Sequence, residues 1–189
     1  MPLRLLGFAA DLENLTEIAG RAFPWYAGRG VAVTVACAGG AESGAVTRRA
    51  QLLGIQALML LDYRPVERSS ASLTELFTDI IRATQPHVVV LPAGDAAIAA
   101  AGTRAFDAAR GRARGSGALP AKLYLRVAPG SRQGGVSTAI AVGTGPTAST
   151  EPFQRLFPSP WVTGVVERDL FAGFAGAAGA TPLDELLAS

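Results

Sequence analysis

Short apolar runs alternate along the chain with segments whose apolar residues recur every three or four positions. The runs predict strands over 3–9, 31–37, 55–63, 85–94, 122–129 and 136–143. The segments with helical spacing predict helices over 12–22, 44–53, 72–83 and 96–110, and a short helix over 151–157. Because strands that alternate with helices form βα units, the pattern predicts an α/β protein with a mainly parallel sheet.

Three local signals set the expected ends of these helices. Pro24 is expected to end or kink the first helix, because its ring removes a backbone donor and clashes with the preceding turn. Gly54 suits the left-handed position that closes the second helix. Ser72 and Glu75 have the spacing of a capping box, in which each side chain bonds the backbone N–H of the other residue.

The composition is that of a folded cytoplasmic domain. The chain has 189 residues, of which 49% are hydrophobic and 17% charged, so residues 1–189 are expected to form a single domain with one sizeable core. No apolar run approaches the roughly 20 residues of a membrane span, and we see no signal peptide. The single cysteine, Cys37, cannot form an internal disulfide, which fits a reducing cytoplasm.

Charge gives little reason to expect nucleic acid as a partner. The net charge is only +2, and nearly all basic residues are arginine, a bias more typical of GC-rich codon usage than of nucleic-acid binding. The one basic cluster, residues 109–117, lacks interleaved aromatic residues and is interpreted as a solvated loop.

Acidic and basic residues follow several of the predicted strands. Functional loops of parallel sheets lie at the carboxyl ends of the strands, so these side chains are candidates to line a pocket. They are Asp11, Glu13, Glu42, Asp62, Arg64, Glu67 and Asp95. Polar residues at strand ends also cap helices, so the pattern alone does not separate the two roles.

The order of "GFAADLEN" (7–14), "GRGVAVTVACAGG" (28–40), "LLGI" (52–55) and "IRATQPHVVVLP" (81–92) resembles the LmbE-like, or PIG-L, family of de-N-acetylases. The resemblance extends, with gaps, over about the first two-thirds of the chain. It implies a Rossmann-like three-layer α/β sandwich. It also implies zinc-dependent removal of an acetyl group from N-acetylglucosamine-type conjugates, including precursors of cofactors and antibiotics.

The family's first loop reads Ala-His-Pro-Asp-Asp-Glu, in which the histidine and the second aspartate bind zinc and the first aspartate is the general base. On this chain the histidine position falls on Ala9 and the proline position on Ala10. The base position falls on Asp11, the metal-binding aspartate on Leu12 and the glutamate on Glu13. The resemblance therefore keeps the base and loses both metal ligands of this loop.

The family's third ligand comes from a later His-Pro-Asp-His stretch, which falls on alanines within 96–99. The only histidine, His87, precedes a predicted strand and is expected at the opposite end of the sheet from the metal. Cys37 is expected inside a strand, as a small buried hydrophobic side chain. Catalytic zinc needs about three protein ligands, so we expect no zinc cofactor. Asp11, Glu13 and Asp95 remain able to gather a hard cation such as Mg²⁺.

Two functions follow from this resemblance. The first is a family member without a metal site, non-catalytic or divergent, acting in small-molecule and natural-product metabolism. The second is an active hydrolase that cleaves an amide or ester through Asp11, with a changed or absent metal. A glycosylated or acylated small molecule is the expected partner, and a homo-oligomer is compatible with the apolar composition. A nucleotide- or flavin-binding module is disfavoured, because neither a G-x-G-x-x-G after the first strand nor a P-loop is present.

Overall fold

The computed structural model describes residues 2–39, 44–63, 70–111, 120–127, 137–143, 148–157 and 169–174. Its strands are β1 (Arg4–Ala9), β2 (Ala32–Cys37), β3 (Ala57–Leu60), β4 (Val88–Pro92), β5 (Lys122–Arg126), β6 (Ser137–Val142) and β7 (Ser149–Phe157). Its helices are α1 (Leu12–Ala19), α2 (Ala22–Ala27), α3 (Gly44–Leu52), α4 (Ser70–Thr84) and α5 (Ala96–Gly111).

The strands form one sheet in the order β3-β2-β1-β4-β5-β7-β6. The first five of these are parallel to their neighbours, and β7 and β6 are antiparallel additions. The mainly parallel sheet predicted from the sequence is therefore confirmed. The strand order reverses between β1 and β4, which makes the crevice at their carboxyl ends the topological switch point of the sheet.

Helices cover both faces of this sheet, as a three-layer sandwich requires. One apolar cluster joins the sheet to α1, α2 and α3 through side chains such as Ile18, Phe23 and Ala50. A second cluster lies on the opposite face, where α4 and α5 supply Phe77 and Phe106. Within the described residues, no helix is long and apolar enough to cross a membrane.

The predicted short helix over 151–157 is wrong, because these residues belong to β7. The strand alternates in burial, but two of its inward side chains are Glu151 and Arg155. Charged residues at core positions hide the apolar alternation by which a half-buried strand is usually identified. Pro152 also argues against a strand in the sequence, because proline is rare in a strand that has a neighbour on each side. Its carbonyl accepts a hydrogen bond from Arg126 Nη1 at 2.9 Å.

The predicted helix over 12–22 is two helices. Gly20, with φ of +47°, ends α1, a conformation that other residues adopt at a cost. Pro24 lies in the first turn of α2, where its missing N–H would have no helical partner anyway, so it neither ends nor kinks α1. Gly54 has the expected positive φ, of +70°. The capping box is wrong, because α4 begins at Ser70 and Ser72 lies inside it.

Candidate functional site

Two of the predicted carboxylates lie at the switch point. Asp11 follows β1 and Asp95 follows β4, the two strands between which the order of the sheet reverses. Each of these residues also stands immediately before a helix. The sequence therefore placed both residues correctly, and the contacts of their oxygens decide what they can do.

Both carboxylates cap the helices that follow them. Asp11 Oδ1 accepts the backbone N–H groups of Glu13 and Asn14, each at 2.9 Å. Asp95 Oδ1 accepts those of Ala97 and Ile98, at 3.0 and 2.9 Å. These bonds satisfy amide groups that the first turn of a helix leaves without a partner. In each residue Oδ1 accepts both capping hydrogen bonds, and Oδ2 takes no part in the cap.

The other predicted pocket residues are more dispersed. Glu13 is exposed in the first turn of α1, where the helix dipole favours an acid. Asp62 follows β3, with φ of +45°. Arg64 lies outside the described residues, as do Glu42 and Glu67. Within the described ranges no three acidic, histidine or cysteine side chains come together as a metal site. Asp11, Glu13 and Asp95 therefore do not form the hard-cation cluster that the sequence allowed.

An apolar cavity lies beside Asp11, at the carboxyl ends of β2 and β3. It has room for about 20 Å³, roughly one water molecule. Its lining is Leu12, Leu15, Cys37, Gly39, Val46, Leu58 and Leu60. Leu12 occupies the position of a metal-binding aspartate in the resembled family. Here its apolar side chain lines the cavity.

Cys37 is the one soft donor in this lining, and its environment keeps it protonated. The side chain is buried, and its Sγ donates to the carbonyl of Gly39 at 2.9 Å. Burial, with the nearby charge of Asp11, raises the pKa of the thiol to about 11. A metal takes the thiolate form of cysteine, so a metal bound at Cys37 would have to displace this proton.

The described residues do not fit a catalytic zinc ion. Two of the positions that hold ligands in the resembled family are Ala9 and Leu12 here, and the third falls within four residues at 96–99 that are alanine or isoleucine. These side chains carry no donor atoms, whereas zinc needs nitrogen, sulfur or oxygen ligands.

A wider opening lies on the outer side of α1. It is an open depression of about 520 Å³ lined by Leu12, Glu13, Thr16, Glu17 and Arg49. The volume is in the range of small-molecule sites, and the lining combines carboxylates, a hydroxyl and a guanidinium. Glu13 is the only one of the predicted site residues in this lining.

Three charged residues near the switch point were missed by the sequence interpretation. The carboxylate of Glu17 lies against Gly94, where a Cβ atom would stand only 3.2 Å from it. Arg126 ends β5 and is buried with Glu151 of β7 as its partner. Burial lowers the pKa of the Arg126 guanidinium, and the charges of Glu151 and Glu17 oppose this effect. The sequence signal for this pair is the place of Arg126 in the apolar run "KLYLRV", because a charged side chain buried with such a run needs a partner of opposite charge.

His87 lies at the amino-terminal edge of the sheet, as predicted. Its backbone N–H donates to the carbonyl of Arg4 at the start of β1, and its carbonyl accepts from Ala121 just before β5. The histidine is therefore at the opposite end of the strands from Asp11. It therefore cannot serve as a metal ligand or as a base in the switch-point crevice.

No protein-family model matches the sequence, and no curated protein matches it either. Among solved structures, the conserved protein TT1542 from Thermus thermophilus matches with a TM-score of 0.58 at 13% identity, over 72% of each chain. This likeness shows that the two chains share a fold.

Two weaker matches are enzymes. The 4-carboxy-2-hydroxymuconate hydratase of Pseudomonas putida matches with a TM-score of 0.49 at 19% identity, over 66% of this chain and 65% of the hydratase. The N,N'-diacetylchitobiose deacetylase of Pyrococcus horikoshii matches with a TM-score of 0.45 at 18% identity, over 65% of this chain and 59% of the deacetylase. The chain thus spans less than two thirds of either enzyme. The α/β sandwich fold expected from the sequence agrees with the fold that the chain shares with TT1542.

Proposed function

We propose that the chain is a member of the LmbE-like family that holds no zinc and does not catalyse deacetylation. In this proposal it acts in the cytoplasm of a bacterium, in the metabolism of small glycosylated or acylated molecules. The observation that carries the proposal is the chemistry of the inherited ligand positions, where Ala9 and Leu12 replace a histidine and an aspartate. The helix-capping role of Asp11 and Asp95 supports it further.

The physical argument concerns the nucleophile. A zinc ion lowers the pKa of its bound water to about 7 and so supplies hydroxide at neutral pH. Without that ion, hydrolysis of an amide normally uses a Ser or Cys nucleophile beside a histidine as general base, together with donors that stabilise the oxyanion. The only histidine is at the other end of the sheet, and burial keeps the Cys37 thiol protonated. These two residues therefore supply neither a general base nor an activated nucleophile for attack on an amide in the crevice.

One observation favours an active hydrolase instead. Asp11 uses only Oδ1 for the helix cap, so Oδ2 is left outside the hydrogen bonds of the described residues. A carboxylate oxygen at this place can accept a proton from water or from a substrate hydroxyl. The activity in question is cleavage of an acetamide or an acetate ester.

The first test is the zinc content of the protein, purified without chelator and not dialysed, measured by plasma mass spectrometry. We expect less than about 0.1 zinc per chain, both as purified and after incubation with zinc and gel filtration, because the inherited positions offer no ligand atoms. The double variant Ala9→His with Leu12→Asp restores the two ligands of the first loop and serves as the matched comparison. One zinc per chain in the unaltered protein would overturn the proposal.

The second test measures release of acetate from N-acetylglucosamine conjugates and from activated acetate esters. We expect rates equal to those of the buffer. Any activity above that level is compared between Asp11→Asn and Asp95→Asn, because asparagine keeps a helix cap but is not a base. A loss confined to Asp11→Asn would establish the hydrolase in place of the non-catalytic protein.

A further inference from the structure

Side chains of opposite charge from two helices line the open depression of about 520 Å³ beside α1, which we call the α1 depression. Glu13, Thr16 and Glu17 belong to α1, and Arg49 belongs to α3. Leu12 at the start of α1 adds an apolar side chain. The depression thus offers negative charge, positive charge and an apolar surface to one small molecule.

The α1 side of the depression can only accept hydrogen bonds. Glu13, Thr16 and Glu17 are spaced i, i+3 and i+4, so their side chains lie on one face of the helix. The two carboxylates are acceptors only while they are ionised. The Thr16 hydroxyl already donates its proton to the carbonyl of Leu12, at 3.0 Å, and keeps its lone pairs for an incoming donor. Arg49 is the opposite case, because a guanidinium has donors and no acceptor.

The charges of the α1 depression are not neutralised by one another. No ion pair among the described residues includes Glu13, Glu17 or Arg49. The charge of Glu17 acts on Arg126, whose guanidinium is bonded to Glu151 at 3.0 Å. Two like charges one helical turn apart repel each other, so a cation placed between Glu13 and Glu17 would stabilise the folded chain.

The lining favours a ligand that carries both charges. A metal ion or an amine alone would bind the carboxylates and leave the positive charge of Arg49 beside another cation. An anion alone would bind Arg49 and be repelled by Glu13 and Glu17. A primary ammonium has three donors, which matches the three acceptor groups on α1, and a carboxylate accepts two parallel hydrogen bonds from a guanidinium.

We propose that the α1 depression binds a small zwitterion of the amino-acid type, with its ammonium on Glu13 and Glu17 and its carboxylate on Arg49. Thr16 accepts the third N–H of the ammonium, and the carbon chain of the ligand lies on Leu12. A volume of about 520 Å³ is in the range of small-molecule sites. This site goes beyond the proposed function, since binding here needs neither a metal ion nor a general base.

The test is a titration of the full chain at low salt, followed by the backbone amide and arginine side-chain signals in NMR. Glycine, γ-aminobutyrate and ε-aminocaproate carry both charges at three separations, and the tightest of them is compared with the amine and the acid of the same chain length. We expect this zwitterion to shift the signals of residues 12–17 and the Nε–H of Arg49, with a dissociation constant of about 1–10 mM. Each single-charge probe should bind about two- to fivefold more weakly, because it loses one exposed ion pair.

Glu13→Gln and Arg49→Gln each remove one charge from the lining and leave a polar side chain. Their matched controls are Glu75→Gln, on α4 at the opposite face of the sheet, and Arg48→Gln, the neighbouring residue of α3 that is outside the lining. We expect the affinity for the zwitterion to fall about two- to fivefold in each of the first two variants and to stay unchanged in the controls.

The proposal is overturned if none of the three zwitterions shifts these signals at about 20 mM. It is equally overturned if the single-charge probes bind as tightly as the zwitterion. A loss in Arg48→Gln as large as that in Arg49→Gln would also overturn it, because the attraction would then come from net charge alone. Zinc content and acetate release play no part in this test, so its result is separate from that of the proposed function.

Discussion

The guanidinium of Arg126 and the carboxylate of Glu151 lie 3.0 Å apart, Nη2 to Oε1, with side chains only 7% and 9% exposed. Glu151 also accepts the backbone N–H groups of Arg21 and Ala22, at 2.8 and 3.0 Å, where α2 begins. Arg126 donates through Nη1 to the carbonyl of Pro152 at 2.9 Å. The pair therefore connects the antiparallel part of the sheet to the junction of α1 and α2.

Removing either member alone is expected to destabilise the protein strongly. Arg126→Met and Glu151→Leu should each lower the free energy of unfolding by about 3–5 kcal/mol, because each leaves an uncompensated buried charge. The double variant should lose less than the sum, since it leaves no such charge. Urea denaturation of the four proteins gives the coupling energy directly.

The exposed pair Asp79 and Arg82 is the control for this cycle. Their side chains are 77% and 39% exposed and lie 3.5 Å apart on one turn of α4. Arg82→Gln should change the free energy of unfolding by less than about 1 kcal/mol, because water screens an exposed pair. Equal losses at the exposed and the buried pair would contradict the role given to Arg126 and Glu151.

The parallel strands and the antiparallel β6 could be predicted from the sequence, and the antiparallel β7 could not. The buried strands β1, β2 and β4 are continuous apolar runs between helices with regular apolar spacing, and this pattern is sufficient for βα units. In β7, two inward positions are charged, and the compensation for Glu151 comes from residues distant in sequence. A partner 25 residues away along the chain, as Arg126 is for Glu151, leaves no local periodic signal.

The candidate site was predictable in position and less so in chemistry. Because carboxyl ends of parallel strands meet at one edge, the sequence placed Asp11 and Asp95 correctly. Whether an aspartate caps a helix or acts as a base depends on where its oxygens point, which spacing does not reveal. Glu17 was missed because it lies inside α1, and only packing brings it against Gly94.

Gly20 tests how tightly the α1–α2 junction fits the buried ion pair. Its φ is +47°, and a Cβ at this position would lie 2.6 Å from Oε1 of Glu151. Gly30 has a φ of +82° with open space around it, so Gly30→Ala should cost only the backbone strain, about 1–2 kcal/mol. Gly20→Ala should cost more than about 1 kcal/mol beyond that, because the pair must move. Thermal unfolding of both variants measures the difference, and similar losses would show that the pair yields easily.

The helix caps at the switch point give a stability test that is separate from activity. Asp11→Ala and Asp95→Ala should each lower the free energy of unfolding by about 1 kcal/mol, since two N–H groups lose their acceptor. Asp11→Asn and Asp95→Asn should stay within about 0.5 kcal/mol of the unaltered protein, because asparagine caps as well as aspartate. Denaturant titration distinguishes these cases. A large loss in Asp11→Asn would mean that the charge itself contributes at this site.

Cys37 should react slowly with thiol reagents while the protein is folded. Burial raises its pKa from 9.0 to about 11, and only the thiolate attacks a disulfide or an alkyl halide. At pH 8 the native protein should react with Ellman's reagent more than about a hundredfold more slowly than a free cysteine, and at the ordinary rate after unfolding in urea. The raised pKa means that the folded state binds the proton more tightly than the unfolded state. This contribution to stability is present below pH 9 and is lost as the pH rises toward 11. Cys37→Ala should remove that part of the pH dependence of the free energy of unfolding. In the reactivity experiment, a fast reaction of the native protein at pH 8 would contradict a buried, protonated thiol.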